Sequence, residues 1–186
     1  LQKSVDTVKK VKKEGKKCIF SPMDATRTEL DYLLEICNAV TDAGADMINI
    51  PDTVGIAWPS EIEELVRAVG GEVDIPLSMH CHNDYGLAVA NSIAGVRAGA
   101  LQIQVTINGL GERAGNASLE ETVMNIERME NASTGIKKDG LFKACKLVER
   151  LSGVQLPPTK PVVGRNAFSH ESGIHAAGMV KDESTF

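Results

Sequence analysis

A short apolar run followed by an amphipathic stretch and a glycine stop recurs along this chain, and that repeat limits the folds open to it. The apolar runs begin near 17, 47, 75 and 101, a spacing of about 28 residues. The first spans Lys17 to Phe20, the next Met47 to Ile50, then Ile75 to Met79 and Leu101 to Ile107. Between them, Leu30, Leu33, Leu34, Cys37 and Val40 share one helical face that Thr28 can cap, and Ile62, Leu65, Val66 and Val69 share another. Gly44, the pair Gly70-Gly71 and Gly99 read as helix stops, and Ala43-Gly44-Ala45 and Ala98-Gly99-Ala100 are near copies. Strands alternating with helices predict a parallel sheet, either open or closed. Eight such units would make a chain close to the ~250 residues of a (β/α)8 TIM barrel.

The distribution of polar residues favours the barrel. Ser21, Asp24, Asp52, Thr53, His80, His82, Asn83, Asp84 and Asn108 all fall at or just past the carboxyl end of a predicted strand. A barrel gathers its active site on that rim, whereas an open sheet binds at one crevice. The fold class is therefore α/β, a TIM barrel of which these residues supply about the last four β/α units. Residues 1–130 read as that half barrel, 131–163 as a helix and Pro-rich linker, and 164–186 as the start of a second subdomain. A first residue that is Leu1, with an end at Phe186, suggests a piece of a longer protein.

A net charge of −5 without a Lys/Arg block longer than a few residues removes the electrostatic footprint expected of a nucleic-acid binder. Apolar runs far short of about 18 residues exclude a membrane helix. The cysteines, Cys18, Cys37, Cys81 and Cys145, lack any C-x-x-C pair and read as buried, reduced thiols of a cytoplasmic protein. Glycosylation-like triplets at Asn116 and Asn131 carry no meaning in that compartment.

His80 and His82 stand two apart at a strand end, so both imidazoles face the barrel mouth while Cys81 faces the opposite layer. Such a pair is a ready chelate; its bland reading is two surface histidines. Lacking a thiolate on that face, the site calls for oxygen co-ligands, which suits Mg²⁺ or Mn²⁺ and also admits Zn²⁺. Asn116, in the glycine-punctuated loop Gly109 to Asn116, is a candidate, although that loop could be no more than a turn before a helix.

The stretches IPDTVG (50–55), HCHNDYGLAVANS (80–92), NGLGERAGN (108–116) and GRNAFSHESGIH (164–175) together resemble the 2-isopropylmalate synthase family, which includes homocitrate and citramalate synthases. The resemblance implies a Claisen-type condensation of acetyl-CoA with a 2-oxo acid, 2-oxoisovalerate above all, in leucine biosynthesis. It implies that His80, His82 and Asn116 bind the metal, with a further Asp from an R-D-G motif expected upstream of Leu1. It assigns Thr53, with Asn108 and Glu112, to the substrate, and His175 to catalysis beside the acetyl group of a partner subunit, hence a homodimer. His175 on residue type alone suits a base near neutrality or a hydrogen-bonded structural role. Two positions depart from the family pattern: Met23 where a Glu is usual, and Phe186 where many members carry a Tyr.

Competing readings remain. Acyl-CoA lyases and aldolases of the same superfamily also use a strand-end His-x-His, but their last-strand loop differs from GERAGN. Metal-dependent amidohydrolases need further histidines after later strands, whereas His170 and His175 lie in the tail. A half barrel exposes two strand edges, so this stretch alone is expected to lack turnover.

Overall fold

A computed structural model describes residues 1–129 and 132–182. Asn131 and Phe186, noted above, lie outside them. The chain divides into two compact units, Leu1–Thr134 and Gly135–Phe186.

In the first unit four strands, β1 (Ile19–Phe20), β2 (Met47–Asp52), β3 (Leu77–Cys81) and β4 (Gln102–Gln104), pair in parallel in the order β1-β2-β3-β4. Spatial order that follows chain order, with no reversal, is the arrangement of a barrel wall and not of a doubly wound sheet. The helices are α1 (Gln2–Lys13), α2 (Leu30–Asp42), α3 (Pro59–Glu72), α4 (Ala88–Arg97) and α5 (Leu119–Arg128). Leu33, Cys37 and Val40 of α2 and Ile62, Val66 and Val69 of α3 pack with Ile48, Ile50, Leu77, Met79 and Cys81 of the sheet into one core. Each of the larger side chains contributes roughly 1.5–3 kcal/mol by leaving water. The two Ala-Gly-Ala copies close α2 and α4 in the same way. Gly44 (φ +100°) and Gly99 (φ +118°) turn left-handed, and the next amides, Ala45 and Ala100, reach back to Val40 O and Gly95 O at 3.0 and 2.9 Å.

Several expected boundaries move. Thr28 does not cap α2: its hydroxyl donates to Asp24 O at 2.9 Å, closing the 3₁₀ turn Ala25–Arg27, and Glu29 takes the cap position. Leu30 is largely exposed and does not share the buried face. Gly70-Gly71 do not stop α3, which runs on to Glu72 because Val69 and Val73 on either side are both buried. Strand β3 starts and ends two residues later than expected, bringing His80 and Cys81 into the ladder. The first strand is a two-residue edge with Ile19 half exposed, so it is not a fully buried strand.

In the second unit, α6 (Leu141–Ser152) buries Leu141 and Cys145, Gly153 ends it left-handed, and α7 spans Gly173–Lys181. Leu151 near the end of α6 is exposed. Phe142 meets Phe168 edge-on at 6.0 Å. Among the described residues no helix is long and apolar enough to cross a membrane.

Cys18, Cys37, Cys81 and Cys145 form no disulfide. Burial pushes the Cys37 thiol up to about 11 and the Cys81 thiol up to about 12, so neither yields thiolate near neutrality. Cys18 alone is only partly buried. Native-state alkylation at pH 8, followed by peptide mass spectrometry, is expected to label Cys18 at least about tenfold faster than Cys37 or Cys81.

Candidate active site

Strand parity sends His80 inward, away from the helices, and the chain continues past β3 so that His82 repeats the direction two residues on. Cys81 between them is fully buried in the core against the helices. The two imidazoles meet edge to face with ring centroids 5.1 Å apart, and their Nε2 atoms are 3.3 Å apart. On the far side of each ring an oxygen acceptor faces Nδ1. For His80 this is Gln104 Oε1 at 2.9 Å, and for His82 it is the Thr53 carbonyl at 2.6 Å. A lone pair facing a carbonyl at such range is repulsive, so Nδ1 carries the proton in both rings. Both Nε2 lone pairs then aim into the gap between them, the arrangement that outer partners impose on metal-ligating histidines.

Asn116 joins from the loop after β4. That loop folds back along the end of β3: Asn83 N–H donates to Gly115 O (2.9 Å), Ala117 N–H to Cys81 O (3.1 Å), and His82 and Asn116 form an antiparallel bridge. The Asn116 amide, 8% exposed, reaches His80 Nε2 at 3.3 Å. As placed it presents Nδ2; a half-turn about the terminal bond presents Oδ1 instead, without moving the backbone. A Cβ at Gly111 would collide with Asn116 Oδ1, which explains why the loop has no side chain there.

Donor set and spacing both fit a divalent cation. Two nitrogens about 2.1 Å from a shared ion, at angles between tetrahedral and octahedral, stand about 3.0–3.4 Å apart. Among the described residues no three His, Cys, Asp or Glu side chains gather at one point; the third member of this cradle is an amide.

Thr53 contributes twice. Its carbonyl holds His82, and its hydroxyl accepts the Asp24 amide N–H at 2.8 Å, which leaves the hydroxyl hydrogen available to donate. The loop beneath is fixed by Asp52, fully buried, which accepts from Gly55 N, Ala57 N and Asn91 Nδ2 at 3.1, 3.3 and 3.3 Å. Asn108 sits in a left-handed turn (φ +64°) whose amide donates to buried Glu120 Oε2 at 3.1 Å. Glu112 is exposed on the crest of the same loop. His175 belongs to the second unit. It lies in the first turn of α7 and not in an open loop, with its ring 6.1 Å from that of His170. Met23 is strongly exposed beside Asp24.

Gln104, Arg113 and Asp84 belong to this constellation and went unassigned in the sequence. The Arg113 guanidinium forks onto Asp84 with two 2.8 Å bonds and donates to Thr53 O at 2.8 Å. That hydrogen bonding holds the Asp84 carboxyl below the ordinary aspartate value and raises the guanidinium.

The HMGL-like family matches residues 1–148 of this sequence. The chain belongs to the HMGL-like family. A homocitrate synthase post-HMGL domain-like match follows at 162–186. The chain is similar to a probable 2-isopropylmalate synthase of Archaeoglobus fulgidus, at 54% identity over all 186 residues, covering 37% of that protein. A probable 2-isopropylmalate synthase of Methanosarcina mazei is 52% identical over the same span, covering 36% of its length. A putative (R)-citramalate synthase of Methanopyrus kandleri is 49% identical over 188 residues, again the whole of this chain and 37% of the relative. This HMGL-like chain thus spans a little over a third of the curated relatives it matches. Among solved structures, the HMG-CoA lyase of Bacillus subtilis superposes with a TM-score of 0.74 at 22% identity, over 82% of this chain and 57% of the lyase. A second HMG-CoA lyase, from Acinetobacter baumannii in complex with coenzyme A and 3-methylmalate, gives 0.76 at 22%, over 90% and 59%. At that identity the likeness is one of fold, and it agrees with four β/α units of a barrel.

Proposed function

We propose that this chain supplies the metal-binding part of an enzyme that condenses acetyl-CoA with a 2-oxo acid, 2-oxoisovalerate yielding 2-isopropylmalate. The observation that carries the reading is the convergence of His80 Nε2, His82 Nε2 and the Asn116 amide on one point at the carboxyl rim. Those three side chains would hold a divalent Mg²⁺, Mn²⁺ or Zn²⁺ ion, which supplies Lewis acidity to a bound 2-oxo group. The remaining roles fall to the chain's own groups. The Thr53 hydroxyl, its oxygen already occupied by Asp24 N–H, donates to the carboxylate of the 2-oxo acid. Asn108 and Glu112 border the substrate from the loop after β4. His175, brought by the second unit of a partner subunit in a homodimer, takes a proton from the methyl group of acetyl-CoA. The carbanion adds to the 2-oxo carbon, whose oxygen takes the carbonyl electron pair and a proton to become a hydroxyl, and water then cleaves the thioester, releasing coenzyme A thiol and a hydroxy dicarboxylic acid. Similarity to synthases over the whole chain supports this reading.

The test uses the full polypeptide that carries this sequence. Thiol release from acetyl-CoA is followed with 2-oxoisovalerate, pyruvate and 2-oxoglutarate, with Mn²⁺ and with EDTA. We expect 2-oxoisovalerate to give the highest kcat/KM, by about tenfold or more, and EDTA to abolish release. A best rate with pyruvate would move the reading to citramalate synthesis, and no thiol release with any of the three would overturn it.

A further inference from the structure

The geometry points to Arg113 as a positioning residue that clamps three rim loops around His82 and fixes which of its nitrogens faces the mouth. This inference rests on the cation reading above and adds a residue to it.

Arg113 comes from the loop after β4, Asp84 from the loop after β3 and Thr53 from the loop after β2. One guanidinium touches all three regions: Nε and Nη2 fork onto the Asp84 carboxylate, and Nη2 also reaches Thr53 O. The same Nη2 lies 3.0 Å from His82 Nδ1. With Nδ1 protonated to face Thr53 O at 2.6 Å, the imidazole and the guanidinium both donate to that one carbonyl oxygen. The carbonyl cannot swing away from His82 without breaking the arginine bond, and Arg113 cannot follow it without leaving Asp84.

The backbone supports the same conclusion. Arg113 is in the left-handed region at φ +51°, where a side chain is strained and where loops commonly carry glycine. Gly111 and Gly115 stand two residues to either side, and a residue that stays at that φ against its preference is held by what its side chain does. The Asp84 side of the clamp is equally constrained, since Tyr85 N–H donates to Gly55 O at 3.0 Å and ties the β3 loop to the β2 loop. Arg113 thus stands one atom behind a candidate ligand, on the side away from the cation, as outer partners of metal-binding histidines do. A lysine could keep the charge but not the fork, because a single ammonium cannot satisfy both Asp84 oxygens and Thr53 O in one plane.

Two readouts test the assignment in the full polypeptide. The first is Mn²⁺ affinity of the parent, Arg113→Ala, Arg113→Lys and His82→Ala. The second is the side-chain ¹⁵N spectrum of the metal-free protein, which reports whether His82 is held as a single Nδ1–H form. We expect Arg113→Ala to weaken Mn²⁺ binding about 10–100-fold and Arg113→Lys to recover only a few-fold of that loss, with the His82 signal becoming a mixture of tautomers in both. Affinity for Arg113→Ala within threefold of the parent, while His82→Ala loses binding, overturns the assignment. So does a His82 signal that stays a single Nδ1–H form. Should His82→Ala itself bind Mn²⁺ like the parent, the cation reading falls, and the metal-free spectrum alone then decides the role of Arg113. If Arg113→Ala does not fold, Arg113→Lys is judged by the same two thresholds.

Discussion

Alanine in place of His82 is expected to lower divalent-cation affinity by more than about 100-fold, which is at least 2.7 kcal/mol at about 1.4 kcal/mol per decade. The substitution removes one of two Nε2 lone pairs 3.3 Å apart and leaves His80 and the Asn116 amide to hold a cation far more weakly. It also removes the Nδ1–H that holds the Thr53 carbonyl at 2.6 Å. The fold should survive, because His82 lies beyond the end of β3 and outside the core cluster. Mn²⁺ titration by electron paramagnetic resonance, with circular dichroism as the check on folding, measures the effect. A variant that folds and binds Mn²⁺ within threefold of the parent would remove the basis for a cation at this rim.

Gly55→Ala should produce a large loss of stability for a single added methyl group. At φ +73° any L side chain carries a left-handed penalty of about 1–2 kcal/mol. The added Cβ would also lie 2.5 Å from Asp84 Oδ2, 2.8 Å from Asp84 N and 3.0 Å from the His82 carbonyl carbon. Two of those atoms are backbone, so the loops must separate, and overpacking of that kind costs about 1–3 kcal/mol. We expect a total near 3 kcal/mol, read as a lower urea midpoint at unchanged m-value. Since the displaced atoms belong to the turn that carries His82, cation affinity should fall with stability. A midpoint unchanged within experimental scatter would contradict the packing described for these two loops.

Much of this architecture could be read from the residues, for identifiable reasons. The β/α repeat is legible because helices with a period of 3.6 and short apolar strand runs leave different patterns. The inward pairing of His80 with His82, and the opposite direction of Cys81, follow from strand parity alone. What could not be read depends on contacts distant in the chain. Gln104 faces His80 because β3 and β4 pair in one register, His80 beside Gln104, and nothing local marks that glutamine. Arg113 lay inside a recognised stretch, but its fork spans loops about 29 and 60 residues away. The stop expected at Gly70-Gly71 failed because glycine's low helix propensity, about 1 kcal/mol, is outweighed by burial of Val69 and Val73 on either side. Thr28 had a capping residue's chemistry, but its hydroxyl was already committed to Asp24 O.

The thiol between the two imidazoles gives strand β3 a hidden chemical polarity. Sliding that strand by a single residue against its neighbours would send both nitrogens outward into the oily layer and swing sulfur into the opening. The site would then discriminate among ions by softness in the reverse sense, preferring thiophilic metals to oxygen-loving ones. The ladder that pairs Ile50 with Met79 and Pro51 with His80 therefore sets more than shape. On the cation reading proposed above, it decides which elements of the periodic table this rim would attract.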